Sequence, residues 1–413
     1  MNFITRSSKF LRLTSASRAQ IVSKKLCDID VPALQEFQMP CQSTQLQRYS
    51  SAAETQAQSI PATVTDEARR FYKSYTPLVE KLTMRSIENH DVSVAMERCK
   101  EILDYNVPSG KRVCGLNVVH AYKMMANPGQ LTEENLRLVR IVAWAVEIMQ
   151  GFFQVADDIM DQSHTRRGKQ CWYKRDDVGI NAVNDVAYLE ACIFEILKHY
   201  VRDQPYYIDV LEAFHETIYK TIVGQSMDMM MTTKGIDLMS EEKYHALVDY
   251  KTTYLTCYGV FNIAMCLAGI VDAESHANCR TILKQMGILC QIKNDYDDCF
   301  STTKKGTDIE QNKCSWLIVE ALKLANPQQR QILEENYGKV EEENVARVKK
   351  VYEDLELPNL YHQVKAESRI ILPKLIDQYH GNLPKEMFTD YAHILFGDGA
   401  AKLMSYEEAV QMA

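Results

Sequence analysis

Apolar positions recur with helical spacing over most of this chain and almost nowhere alternate as they would in a strand. Between Thr132 and Gln150 there is neither Gly nor Pro, and Leu136, Val139, Ile141, Val142, Ala145, Val146 and Met149, followed by Phe152 and Phe153, place apolar side chains on more than one side. That pattern predicts a helix surrounded by other helices rather than one lying on a surface. Similar segments run from about Asp185 to Tyr200, Tyr207 to Met231, Glu241 to Ala268, Glu274 to Phe300, Ser315 to Ala325 and Leu360 to Tyr379. Pro373 removes an amide donor from the last of them and predicts a kink there. Turn chemistry separates the segments, as at Asn127-Pro128-Gly129, Gln204-Pro205 and Asn326-Pro327. No short internal repeat is present, so the expected fold is all-α, a single helical bundle with short connections.

The N-terminus departs from this pattern. Residues 1–27 hold Arg6, Lys9, Arg12, Arg18, Lys24 and Lys25, many Ser and Thr, and no acid. This is the composition of a mitochondrial transit segment, the plain alternative being a basic tail. The expected location is therefore mitochondrial or cytoplasmic. Residues 28–62, rich in Gln, Ser and Thr, read as a polar linker, and residues 63–413 as the helical domain. With 46% hydrophobic and 25% charged residues, 16 Gly and 11 Pro, that domain can bury one large core.

The net charge of -8 argues against nucleic acid as the main partner. The 12 cysteines form no CxxC pair or zinc-like spacing and read as reduced thiols of an intracellular protein. No run of about 18 apolar residues occurs, so no transmembrane helix is expected.

The sharpest chemical signal is Asp157-Asp158-Ile159-Met160-Asp161. Residues four apart share a helix face, so Asp157 and Asp161 present carboxylates side by side while Asp158 points away. Two such acids at the negative end of a helix call for a cation, and hard oxygen ligands suit Mg²⁺ completed by water and phosphate. A solvated acidic helix end is the plain alternative. Arg166 and Arg167 follow at once and make a fitting diphosphate clamp. A second cluster, Asn294-Asp295-Tyr296-Asp297-Asp298, repeats the four-residue spacing on another helix. Two clusters facing one another would form a magnesium-bridged diphosphate site.

The segment Val146 to Tyr173, containing VADDIMDQSHTRRGKQCWY, resembles the first aspartate-rich region of farnesyl diphosphate synthases of insect and animal type. Gly110-Lys111, Gly224-Gln225 through Asp228, Tyr250-Lys251-Thr252, Gln291 through Asp298, and Gly306-Thr307-Asp308 through Trp316 match that family in order. The resemblance implies an isoprenoid synthase-type helical bundle around a central cavity, a homodimer, an allylic diphosphate substrate and Mg²⁺, three ions in all. It implies that Asp157 and Asp161 hold metal, and that Asn294, Asp295 and Asp298 form the opposite metal site, with Asn294 where the family has Asp. Arg166, Lys251 and Lys304 would grip the allylic diphosphate, Gln225, Thr252 and Gln291 would line its cavity, and Asp157, Asp161, Arg166 and Lys251 would carry catalysis. Phe152 and Phe153 would cap the pocket at about fifteen carbons.

Departures from the family shape the functional expectation. The family binds isopentenyl diphosphate through a Lys, an Asn and an Arg in one segment, joined by a Gln and an Arg elsewhere. Lys111, Gln150 and Arg167 remain here, but Val113 and Cys114 stand in place of the Asn and Arg. A charge-assisted contact contributes roughly 1.5 to 3 kcal/mol, so losing that Arg should cost about 10- to 150-fold in affinity. Arg112, two positions away, is a substitute only along a different backbone path. Asn294, Asp298 and Thr302 echo the asparagine-led metal motif of terpene cyclases, and Leu255 replaces an aromatic. These departures predict a terpene synthase, a carbon–oxygen lyase turning farnesyl diphosphate into a sesquiterpene or sesquiterpene alcohol. The alternative is a prenyltransferase that condenses isopentenyl diphosphate with an allylic diphosphate, and a non-catalytic regulator is the third reading.

Overall fold

The computed structural model describes residues 62–84, 92–301 and 306–396. The transit-like segment and all of the linker except Ala62 lie outside the described residues. Fifteen helices account for nearly all of what is described. They are α1 (Ala62–Lys73), α2 (Tyr75–Met84), α3 (Ser93–Asn106), α4 (Val113–Met125), α5 (Glu133–Met160), α6 (Ala182–Tyr200) and α7 (Tyr207–Thr232) in the first half. The second half holds α8 (Glu241–Val248), α9 (Gly259–Leu267), α10 (Ala273–Phe300), α11 (Trp316–Leu324), α12 (Pro327–Asn336), α13 (Glu342–Asp354), α14 (Leu357–Asp377) and α15 (Lys385–Phe396). The fold is all-α, as the periodicity predicts.

Helix α5 begins where Thr132 caps it, the side chain accepting from the Asn135 amide at 3.2 Å, with Glu133 and Glu134 placed against the positive helix end. It then runs through Gly151, beside which the end of α3 packs through Val107 and the Asn106 carbonyl. By length and composition α5 could cross a membrane, but 94% of its most apolar stretch is buried inside the protein, which makes it a core helix. Segment Glu241–Ala268 is not one uniform helix: α8 and α9 are joined by a π-helical stretch, Asp249–Tyr258. Such wide turns re-aim side chains and are frequent at functional sites. Pro373 stays inside α14, which starts at Leu357 rather than Leu360.

Two apolar clusters form the core. The first gathers α1, α2, α5, α6 and α9 around Trp144, whose ring stacks on Phe71 at 4.3 Å and whose Nε1 donates to the Phe71 carbonyl at 2.9 Å. The second joins α8, α11, α13 and α14 through Tyr244, Trp316, Tyr352 and Tyr361. Helix α10 feeds both, with Met286 in the first cluster and Ile288 in the second. Each fully buried aromatic of this kind contributes roughly 1.5–3 kcal/mol of transfer free energy. The only strands among the described residues are β1 (Thr165–Arg166) and β2 (Lys169–Gln170), an antiparallel pair. Their turn, Arg167-Gly168, has φ of 53° and 76°, the two positive values of a type I′ hairpin. That hairpin fixes Arg166 and Arg167 just beyond the end of α5.

Candidate active site

Asp157 and Asp161 stand one turn apart at the C-terminal end of α5. The helix dipole disfavours acids there, so their charge must be met by other elements. Lys251, on the π-helical stretch, lies 3.2 Å from Asp157 and 2.7 Å from Asp228 of α7. Lys313, in the turn before α11, lies 2.7 Å from Asp161 and 2.8 Å from the same Asp228. Arg166 places Nη2 3.1 Å from Asp157 and 2.6 Å from Asp158. Gln225 donates to Asp157 at 3.3 Å, and Gln311 to the Asp161 carbonyl at 2.6 Å. Five elements thus meet in one closed network of alternating charges. Gly224 makes it possible: a Cβ there would run into the backbone of Lys251, so α7 and the π-helical stretch can touch only at a glycine.

Burial opposes ionisation of Asp157, but Lys251, Arg166 and Lys313 outweigh it and hold that carboxyl below the usual carboxylate range. Asp228 is likewise lowered, burial being overcome by Lys251 and Lys313. Asp161 moves the other way, raised by burial and by the negative charge of Asp157. Burial works against the charge of both lysines, yet Asp157 and Asp228 raise Lys251, and Asp228 and Asp161 raise Lys313. The arrangement alternates acids with basic groups, so each has a partner that a metal ion or a phosphate could replace.

The second acidic cluster behaves differently from its expected part. Asn294 is exposed and Asp298 is buried, its Oδ2 accepting from the Thr307 and Asp308 amides at 3.0 Å each. Asp295 turns into the core, where Oδ2 accepts from the Tyr244 hydroxyl at 2.9 Å and the Trp316 amide at 2.7 Å, and Oδ1 from Gln291 at 2.7 Å. Burial raises its pKa to about 6. Both oxygens of Asp295 are therefore engaged inside the protein, unlike exposed Asn294 one residue before it. Thr252 donates to Gln291 at 2.6 Å, so this pair is anchored through Asp295. Asp295→Asn should lower stability by about 1–3 kcal/mol, because one buried donor loses its acceptor. It should leave the Mg²⁺ concentration for half-maximal turnover unchanged, whereas Asp298→Asn should raise it. A raised Mg²⁺ requirement with an unchanged melting temperature in Asp295→Asn would reverse this assignment.

Of the remaining expected residues, Gln150 is buried and donates to the Leu255 carbonyl at 2.8 Å. Phe152 and Phe153 are buried, their rings 4.4 Å apart and tilted by 50°. Lys111 sits at the entry to α4, its carbonyl accepting from the Tyr72 hydroxyl at 3.0 Å. Arg167 donates to the Ser109 carbonyl at 3.2 Å, which brings it to the same loop as Lys111. Lys304 lies outside the described residues. Asp228 and Lys313, which close the network, are not among the expected site residues. The signal for them was the presence of both inside matched motifs, one four residues after Gly224 and one just before Trp316.

The acids fit a hard divalent ion. Among the described residues no three His, Cys, Asp or Glu side chains converge tightly enough to hold one by themselves. Carboxylate oxygens of this kind would suit Mg²⁺, which keeps waters and takes further ligands from phosphates.

Fold and site together define a helical enzyme of diphosphate chemistry. Residues 96–355 match the polyprenyl synthetase family, and the chain belongs to it. It is 43% identical to the farnesyl pyrophosphate synthase of Gallus gallus over 343 residues, 81% of this chain and 94% of that protein. It is 42% identical to the farnesyl pyrophosphate synthase of Homo sapiens over 337 residues, 80% of each. The crystal structure of T. brucei farnesyl diphosphate synthase superposes with a TM-score of 0.71 at 28% identity, covering 80% of this chain and 98% of that one.

These relatives correct the terpene synthase expectation. A lyase releasing a sesquiterpene is not what proteins sharing more than two-fifths of the sequence over four-fifths of the chain are named for. Val113, Cys114 and Asn294 are local changes in an otherwise matching chain, and their spacing alone overstated what they remove.

Proposed function

We propose that this protein is a prenyltransferase that joins isopentenyl diphosphate to an allylic diphosphate and forms farnesyl diphosphate. One observation carries the reading: Asp157, Asp161 and Asp228 share Lys251 and Lys313, with Arg166 on Asp157 and its neighbour Asp158. The arrangement can accept a metal–diphosphate salt by exchanging partners. Magnesium held by Asp157 and Asp161, with Asp298 and Asn294 opposite, would neutralise diphosphate and ease its departure. Lys251 and Arg166 place fixed positive charge where that negative charge grows, in a site largely closed to water. The allylic carbon–oxygen bond breaks, the double bond of isopentenyl diphosphate supplies the electrons for a new carbon–carbon bond, and a proton leaves the adduct. Phe152 and Phe153 offer ring faces to the passing cation and bulk that limits chain length.

Incubating the protein with geranyl and isopentenyl diphosphates and Mg²⁺ should yield farnesyl diphosphate, read by mass spectrometry after phosphatase treatment. An absence of any fifteen-carbon product, with both substrates recovered, would overturn the reading.

Exposed apolar residues on two successive helices support a homodimer. Tyr219, Ile222, Met229 and Met230 are exposed along α7, and Val183, Ala187 and Ala191 along α6. Faces of this kind mark association surfaces. Sedimentation should give twice the chain mass, falling to one chain in Ile222→Glu combined with Met229→Glu. A monomeric wild type would exclude it.

A further inference from the structure

The segment Ser109-Gly110-Lys111-Arg112-Val113-Cys114 enters α4 through two residues in the left-handed region, Gly110 at φ 87° and Arg112 at φ 44°. Glycine adopts this backbone freely, whereas a side chain there is held only when its surroundings over-determine it. The consequence is that Arg112 points inward and is only 4% exposed. Its Nη1 donates to the Val107 carbonyl at 2.6 Å and lies 3.1 Å from buried Glu147. Glu147 in turn accepts from the Gly115 amide at 2.6 Å.

The rest of the guanidinium is not consumed. Nε is buried without a partner, and the bond to Val107 and the ion pair with Glu147 both use Nη1. Nη2 lies 3.3 Å from the point a Cβ on Gly110 would occupy, and Arg167 Cδ lies 4.0 Å from that same point. Two arginines therefore converge on one side of Gly110, with Lys111 between them in sequence and Glu147 as the acid paired with Arg112. Burial, and then the like charge of Arg112, pull Arg167 down to about 10. An unsatisfied guanidinium donor, an excess of positive charge and the first turn of a 13-residue helix are what a doubly charged anion needs.

We propose that Arg112, with Arg167 and the first turn of α4, grips the diphosphate of isopentenyl diphosphate in place of the arginine that Cys114 replaces. The left-handed turn at Arg112 supplies the different backbone path, and Glu147 holds the fork in place. This assignment rests on the prenyltransferase reading.

The test is calorimetric titration of the full chain with isopentenyl diphosphate and, separately, with geranyl diphosphate and Mg²⁺. Arg112→Ala would leave Glu147 buried and unpaired and endanger folding, so Arg112→Lys is used, which keeps a cation beside Glu147 but loses the fork. Isopentenyl diphosphate should bind about 10- to 150-fold more weakly in Arg112→Lys, with geranyl diphosphate binding and melting temperature little changed. The double variant Arg112→Lys, Cys114→Arg should recover the lost affinity, because a guanidinium again faces the anion while a cation stays beside Glu147. Unchanged isopentenyl diphosphate binding in Arg112→Lys, in a wild type that elongates, overturns the Arg112 assignment alone. So does an equal loss for both substrates accompanied by a fall in melting temperature, which marks a purely structural brace. A wild type that neither binds isopentenyl diphosphate nor forms farnesyl diphosphate overturns both readings.

Discussion

Asp157→Ala is expected to lower turnover by about 10²- to 10³-fold, the cost of removing one preorganised electrostatic contact from a charge-developing site. Asp157 is the acid on which Lys251, Arg166 and Gln225 all converge, so its loss both removes an oxygen ligand and lets three donors relax from the positions they hold for phosphate. Asp161→Ala should behave alike, through Lys313. Circular dichroism should show unchanged helicity, since both residues lie in the last turn and C-cap of α5. Turnover within a few-fold of wild type in either variant would remove these acids from the mechanism.

The second large effect is on stability. Asp228 is the carboxylate shared by Lys251 and Lys313, and Asp228→Ala leaves two largely buried ammonium groups facing one another. Breaking a buried ion network by removing one partner costs about 3–5 kcal/mol, which predicts a melting temperature lower by something on the order of 10 °C. The pH dependence has a definite sign. Asp228 has a lowered pKa in the folded protein, so its contribution is present above the unfolded value of about 3.9 and is lost as pH falls through the folded value. Wild type and variant should therefore differ most at neutral pH and converge under acid conditions. Equal melting temperatures at pH 7 would mean that Lys251 and Lys313 find other partners.

The helical fold was legible because its signal is repetitive. Every turn of α5 carries apolar residues, and the boundaries of α6, α7 and α10 lie within a few residues of where periodicity and turn chemistry put them. The spacing of Asp157 and Asp161 was legible for the same reason, one element fixing both. Asp228 and Lys313 were not, because each is a single charged residue on a different element and only the tertiary fold joins them. Asp295 shows the limit of a motif: adjacent to Asn294 in sequence, it faces the opposite way, and nothing in the string of letters says that Tyr244 and Trp316 wait for it. The functional misreading came from local departures weighed against a long match. Val113, Cys114 and Asn294 are three positions in a chain that matches farnesyl pyrophosphate synthases over four-fifths of its length, and the reading weighed them above that match.

The closed network at the heart of the site has a thermodynamic consequence. A metal ion arriving alone at Asp157 and Asp161 would take one acid from each of Lys251 and Lys313 and leave both on Asp228, and a diphosphate arriving alone at the lysines would strand the acids. Each ligand therefore lowers the penalty the other would meet, and their affinities are coupled reciprocally. On the proposed function, the resting ion pairs would favour cation and substrate arriving together over either one by itself.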